Sequence, residues 1–255
     1  MPHSESECII LKAYDLAEAD RIVVFISREH GVLRGVAKGV KRLKSRFGSS
    51  LESFSVVTMS YRLKEERELV SIEYAELLRS YFAEAAQPQF LSTFSYAGDL
   101  LLQMTAPNDP SENLFRMLKA CLESGAEGDR SLAPLRLYME LWLLRLSGYS
   151  PDWSACESCR RAFGTTDTAF LRSDLGINCA KCRRSSGSIV VEPSLRRLFA
   201  DALRLSPRDF MRANTAEEPQ VEQLSILMRR SISQIIGRDV VLPDPAQGLI
   251  RSNAV

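Results

Sequence analysis

Six cysteines are present, and four of them fall into two matched pairs. Cys156-Glu157-Ser158-Cys159 is answered, after nineteen intervening residues, by Cys179-Ala180-Lys181-Cys182. A Cys-x-x-Cys turn brings two thiolates close enough to share one metal ion, and two such turns complete a tetrahedral four-sulfur site of the zinc type. Four protein ligands leave no open coordination position, so the predicted ion is structural: one Zn2+ per chain, held by Cys156, Cys159, Cys179 and Cys182. Two redox dithiols or two disulfides are the competing readings. In a chain of 255 residues the paired turns fit metal ligation better than a disulfide framework.

A second group of side chains could do chemistry by charge. Between His30 and Leu51 there is no acidic residue, yet Arg34, Lys38, Lys41, Arg42, Lys44 and Arg46 all fall there, with Phe47 following at once. The chain as a whole carries a formal net charge of only +1. A local basic run in a neutral protein is an electrostatic footprint for a polyanionic strand. The competing reading is a solvated charged loop. Interleaved Gly39, Phe47 and Gly48 favour a loop that tracks a strand, with Phe47 either stacking on a base or anchoring the loop.

Catalytic constellations are hard to find. The two histidines are His3, in an N-terminus expected to be mobile, and His30, in a turn, and neither comes with a nucleophile motif. There is no Gly-x-x-x-x-Gly-Lys-[Ser/Thr] loop for ATP and no Gly-x-Gly-x-x-Gly fingerprint. Cys8 and Cys121 stand alone in apolar surroundings and are expected to be buried. The expectation is a binding protein and not an enzyme.

The elements that must position these groups follow from periodicity. Residues 1–80 contain short apolar runs of strand length: Cys8 to Leu11, Ile22 to Ile26, Val32 to Ala37, Leu51 to Tyr61 and Leu69 to Ala75. Apolar parity switches between Val56 and Val57, which predicts a bulge or a bend there. Arg62 to Arg67 reads as a hairpin tip. Five short strands suit a small closed barrel of the OB type, with an SH3-like barrel close behind. From residue 81 the period is helical. Helices are predicted from Pro88, from Asp109-Pro110, over Leu132 to Leu146 at the centre of a bundle, from Ser194, from Pro207, and over Val221 to Ile236. The tail from Asp239, with Pro243 and Pro245, reads as loosely ordered. The fold class is therefore α+β: an N-terminal OB-type β-barrel over residues 1–80, then an α-helical domain over 81–255 with a four-cysteine zinc module inserted at about 152–188. The N-terminus shows no secretory pattern and no apolar run is long enough to span a bilayer, so a cytoplasmic protein is expected.

At these residues the chain resembles a known family. Lys38-Gly39-Val40-Lys41-Arg42-Leu43-Lys44-Ser45-Arg46-Phe47-Gly48, followed by Leu51-Glu52-Ser53-Phe54, is similar to the signature loop of the bacterial RecO family of DNA repair proteins. Ile10-Leu11-Lys12, Glu18 to Val23 and Arg28-Glu29-His30-Gly31 resemble its opening, and the order of barrel, helices and inserted cysteine module extends the likeness over nearly the whole chain. The resemblance implies a recombination mediator at the nucleoid. Such proteins bind single- and double-stranded DNA, anneal complementary strands, and work with RecR and, in some bacteria, RecF. Together these load the RecA recombinase onto DNA coated by single-strand-binding protein (SSB). It also implies docking of the acidic SSB C-terminal tail on the helical domain, for which Arg196, Arg197 and Arg204 are candidate receptors. Should the DNA surface lie elsewhere, Arg160, Arg161, Arg183 and Arg184 around the zinc module are the next candidates. Two other classes compete: an RNA-binding OB protein with a zinc ribbon, and a zinc-dependent hydrolase, against which the four-sulfur site argues.

Overall fold

The structure, a computed structural model, describes residues 3–16, 18–42, 44–63, 69–107, 109–127, 131–183, 189–214 and 218–242. Most of the expected hairpin tip, Arg184 and the prolines of the tail lie outside these residues. The chain divides into two compact units, residues 1–128 and 129–241.

In the first unit five strands close a barrel: β1 (His3–Asp15), β2 (Arg21–Ser27), β3 (Gly31–Ala37), β4 (Val56–Arg62) and β5 (Leu69–Arg79), in the order β1-β2-β3-β5-β4. All pairs are antiparallel except β3 with β5, and β1 closes the ring against β4. This is the OB-type arrangement. Alternate side chains fill the interior: Cys8 and Ile10 from β1, Val23 and Phe25 from β2, Leu33 and Ala37 from β3, Val57, Met59 and Tyr61 from β4, and Val70, Ile72 and Ala75 from β5. The predicted irregularity at Val56/Val57 is present as a register shift between β4 and β5. So small a barrel needs such bulges to turn its strands inward.

β1 is much longer than the apolar run Cys8 to Leu11. Its first half pairs with β4 and its second half with β2, so one strand serves both sides of the seam. As a result His3 is not in a mobile terminus. It opens β1 opposite Arg62, with its ring 3.3 Å from the Glu73 carboxylate. β4 starts at Val56 and not at Leu51, because Leu51 and Phe54 are buried in turns before the strand.

Three helices belong to this unit: α1 (Phe82–Ala85), α2 (Pro88–Met104) and α3 (Glu112–Gly125). α3 is capped by Ser111, whose hydroxyl accepts from the Leu114 N–H, and not by Asp109 with Pro110 in its first turn. The backbone of Asp109 is engaged elsewhere, packed on Gly31 at the β2–β3 turn. α2 and α3 are pinned to the barrel by Lys12–Asp99, by Lys119–Glu7 (2.5 Å) and by Arg28, which pairs with Glu7 at 3.2 Å and lies over the Phe115 ring.

The second unit is built on α4 (Ala133–Leu146), which packs against α5 (Pro193–Arg204), α6 (Pro207–Asn214) and α7 (Glu218–Ile236) and is buried on most sides, as expected of a bundle centre. Between α4 and α5 comes a small sheet of β6 (Ala169–Leu171), β7 (Ile177–Asn178) and β8 (Val190–Val191), in the order β7-β6-β8. Trp153 fastens this insert. It stacks on Phe199 of α5 at 4.5 Å and donates its indole N–H to the Leu175 carbonyl.

Candidate nucleic-acid interface and metal centre

Lys38 to Ser55 is the β3–β4 connection, and it is a chain of hydrogen-bonded turns. Arg42 N–H donates to Gly39 O, Ser45 N–H to Arg42 O, Ser50 N–H to Phe47 O and Ser55 N–H to Glu52 O. Its first part is tied to the β1–β2 turn: Gly39 N–H donates to the Asp20 carboxylate at 2.8 Å and Lys41 N–H to Ala19 O at 3.1 Å. Its last part is tied to β1, where Phe54 N–H donates to Ile10 O and Ile10 N–H to Ser55 O. Gly39 has φ +73°, a backbone state that glycine adopts without strain.

Arg34, Lys38, Lys41, Arg42, Lys44 and Arg46 are all exposed. Five of them share this connection, and Arg34 lies on β3. Phe47 takes the anchoring role of the two expected. It is 3 % exposed and sits in the barrel core with Leu51, so its ring offers no face to a base, while the Arg46 guanidinium lies 5.0 Å above it. Buried apolar anchors under exposed cations explain how a basic loop can be ordered. The stems and rings supply the packing while the charged heads remain in water. Lys41 is pre-paired, its Nζ 2.6 Å from the Asp15 carboxylate. Lys41 and then Arg21 hold the Asp15 carboxyl below the usual carboxylate range. Neither Asp15 nor Asp20 stands out in the sequence, because both act through a loop, 26 and 19 residues away respectively.

The four cysteines of the insert converge. Their sulfurs all lie within 4.8 Å of one another, and Cys159 Sγ is 3.9 Å from Cys179 Sγ. A tetrahedron with metal–sulfur bonds of about 2.3 Å has edges of about 3.8 Å, whereas a disulfide bond is about 2.05 Å long. The donor set therefore fits a thiophilic divalent ion, and all four thiols are free. The knuckle geometry is local: Cys182 N–H donates to Cys179 O, and Arg160 N–H to Cys156 O with Arg160 at φ +59°. Burial pushes the Cys156 thiol up, but backbone N–H groups of Cys159, Cys179 and Ser158 outweigh it and bring it down to about 6. Cys182 is pushed up to about 12, chiefly by its neighbours Cys159 and Cys179. Crowded sulfurs with no cation between them cannot all ionise, and a divalent ion removes that repulsion. Asn178, directly before the second pair, supports the site. It donates to Cys182 O at 3.2 Å and accepts from Ser158 Oγ at 3.0 Å. Such an outer partner has no sequence signal beyond its place next to a ligand.

The other candidate arginines are engaged within the second unit. Arg160 pairs with Glu157, Arg161 with Asp167 and Arg204 with Asp201, and Arg183 lies over the Phe170 ring. Arg196 donates to Gly164 O and lies over the Phe163 ring, so it braces the insert. His30 is half-buried, its Nδ1 2.9 Å from the Tyr61 hydroxyl, and Cys8 and Cys121 are fully buried as expected.

Comparison with known proteins agrees with this architecture. The family model for the recombination protein O N terminal matches residues 1–81, and that for the recombination protein O C terminal matches residues 87–239. A DNA repair protein RecO from Koribacter versatilis is 31% identical over 237 residues, 92% of each chain. One from Geobacter metallireducens is 31% identical over 84% of this chain and 89% of its own. One from Syntrophotalea carbinolica is 30% identical over 71% and 70%. With both parts matched and relatives aligned along most of its length, the chain belongs to the RecO family of DNA repair proteins.

Proposed function

We propose that this protein is a non-enzymatic recombination mediator. Its barrel domain, residues 1–80, binds single- and double-stranded DNA through phosphates, and it anneals complementary strands. Together with RecR, and RecF where present, it loads RecA onto SSB-coated DNA at the nucleoid. The observation that carries the reading is the exposed run of Arg34 on β3 and Lys38, Lys41, Arg42, Lys44 and Arg46 on the loop that follows, which buried Phe47 and Leu51 hold in place. Two DNA strands repel each other, and a basic surface lowers that repulsion without ATP. Backbone contacts carry no base information, which suits a sequence-tolerant annealer. The RecR, RecF and RecA roles rest on membership of the family.

The insert, over about residues 152–188, supplies stability in this reading. Zn2+ bound by Cys156, Cys159, Cys179 and Cys182 closes the fold of a segment that has little core of its own. SSB docks through its acidic tail on the helical part of the chain. Arg197 and Arg204 are the candidate receptors there, Arg204 already paired with Asp201, while Arg196 braces the insert.

The test is the triple variant Lys41→Ala, Arg42→Ala, Lys44→Ala. If four to six cations meet phosphates, the log–log salt slope on single-stranded DNA is about −3 to −4, at about −0.7 per phosphate. The triple variant shrinks it by about 2, and annealing falls with binding while circular dichroism and metal content stay as in wild type. A folded triple variant that binds and anneals like wild type overturns the assignment.

A further inference from the structure

With Phe47 buried, the basic loop has no aromatic face for a base, yet the barrel presents one beside it. On the outer surface of β1, β2 and β3 the register defines two adjacent rows. Lys12, Val24 and Arg34 form the first, and Tyr14, Ile22 and Val36 the second. Directly paired residues project from the same side of the sheet, and the inward partners here are Ala13 and Val23. The first row is closed at its β1 end by Asp99 of α2, which holds Lys12, and Val24 is buried. The second row is open. Tyr14 is 49% exposed, and Ile22 and Val36 are half-buried. Cations border this row: Arg34 in the neighbouring row and Lys38 directly after the end of β3, both exposed.

We propose that Tyr14, on a floor of Ile22 and Val36, is a stacking platform for an unpaired base of single-stranded DNA, with Arg34 and Lys38 receiving the flanking phosphates. The inference rests on the DNA-binding reading above and deepens it. The face of strands 2 and 3 with the β1–β2 loop is where OB barrels take oligonucleotides, and an aromatic ring bordered by cations is what binding a single strand requires. An isolated exposed tyrosine is ordinary. The charge around this one selects a nucleic acid over an apolar protein surface. Because a duplex keeps its bases stacked inside, Tyr14 contributes to binding of single strands only. The loop cations serve both forms.

The experiment is a titration of the full-length protein with an oligothymidylate and with a duplex, each over a range of salt. Tyr14→Ala weakens the single-strand complex by about 5- to 100-fold and leaves duplex affinity and the salt slope unchanged, since no phosphate contact is removed. Tyr14→Phe binds as wild type. In Tyr14→Trp the added indole is quenched by the oligothymidylate and not by the duplex, relative to wild type with its own two tryptophans. Unchanged single-strand binding by a folded Tyr14→Ala protein overturns the platform, and so does an equal loss on both DNA forms. Neither outcome touches the loop assignment, which stands or falls with the Lys41, Arg42, Lys44 variant.

Discussion

Cys179 meets the cluster twice: its sulfur is one of the four ligands, and its N–H donates to Cys156 Sγ at 3.3 Å. Changing it to Ser removes a thiolate from a set that works only when complete. Cys179→Ser is therefore expected to purify with far less than the one zinc per chain expected of wild type, and to unfold at lower temperature. Each bound sulfur must first lose its proton, so zinc affinity rises with pH. By neutral pH Cys156, at about 6, has lost its proton, while Cys182, at about 12, gives one up only to the metal. A chelator competition series between pH 6 and 8 checks this, and affinity independent of pH contradicts it. Arg160 follows the first pair at φ +59°, a position glycine occupies without the Cβ penalty. The cysteine ligands were legible in the sequence because two residues of spacing define the turn. The strain at Arg160 was not, because the residue type gives no hint of it.

At the scale of elements, two junctions illustrate what packing demands. The β2–β3 turn passes directly beneath the chain before α3: a Cβ built on Gly31, at φ +67°, lies 1.9 Å from the Asp109 carbonyl oxygen. Gly31→Ala faces both backbone strain and a backbone clash. It is expected to cost about 2 kcal/mol or more, measured by urea denaturation. The sequence marks Gly31 as a turn and cannot show what lies above it. The second junction is between α4 and α7. Glu140 is fully buried, accepts from Ser225 Oγ at 2.6 Å and lies 3.6 Å from the Arg229 guanidinium. Arg229 also pairs with Glu222, which holds Arg136. Arg229→Met leaves the Glu140 charge buried without its cation and is expected to destabilise by about 3 kcal/mol. Adding Glu140→Leu should recover much of that loss. If the double variant is no better than the single, the charge pairing is not what Arg229 contributes. The apolar stripe of α7 was plain from its spacing, whereas a buried carboxylate on α4 appears only once the partner helix is placed.

For the whole molecule, the basic loop lies in one compact unit and the metal cluster in the other. Stripping the metal is therefore expected to lower the thermal midpoint and expose the insert to protease, while the affinity for an oligothymidylate stays within about twofold of the metal-bound protein. Loss of DNA binding on chelation, with the barrel intact by circular dichroism, would give the insert a direct part in the interface. Strands give way to helices after Arg79, but the units divide at 128, because α2 and α3 are fastened to the barrel through Asp99, Lys119 and Phe115.

Local chemistry was readable in the chain itself. The cysteine pairs, the acid-free basic run, the five apolar strands and the bulge at Val56/Val57 each need only neighbouring residues to be recognised. What depended on distant parts of the chain was decided by the tertiary structure. The length of β1 comes from its pairing with both β4 and β2. The burial of Phe47 comes from its packing against core residues of all five strands, and the restraint on Lys41 from an aspartate twenty-six positions before it. The exposure of Tyr14 has the same origin, since an alternating strand shows one face only after closure determines which side is the core. Hydrophobic period and ligand spacing are properties of adjacent residues, whereas register and closure are properties of pairs far apart in sequence.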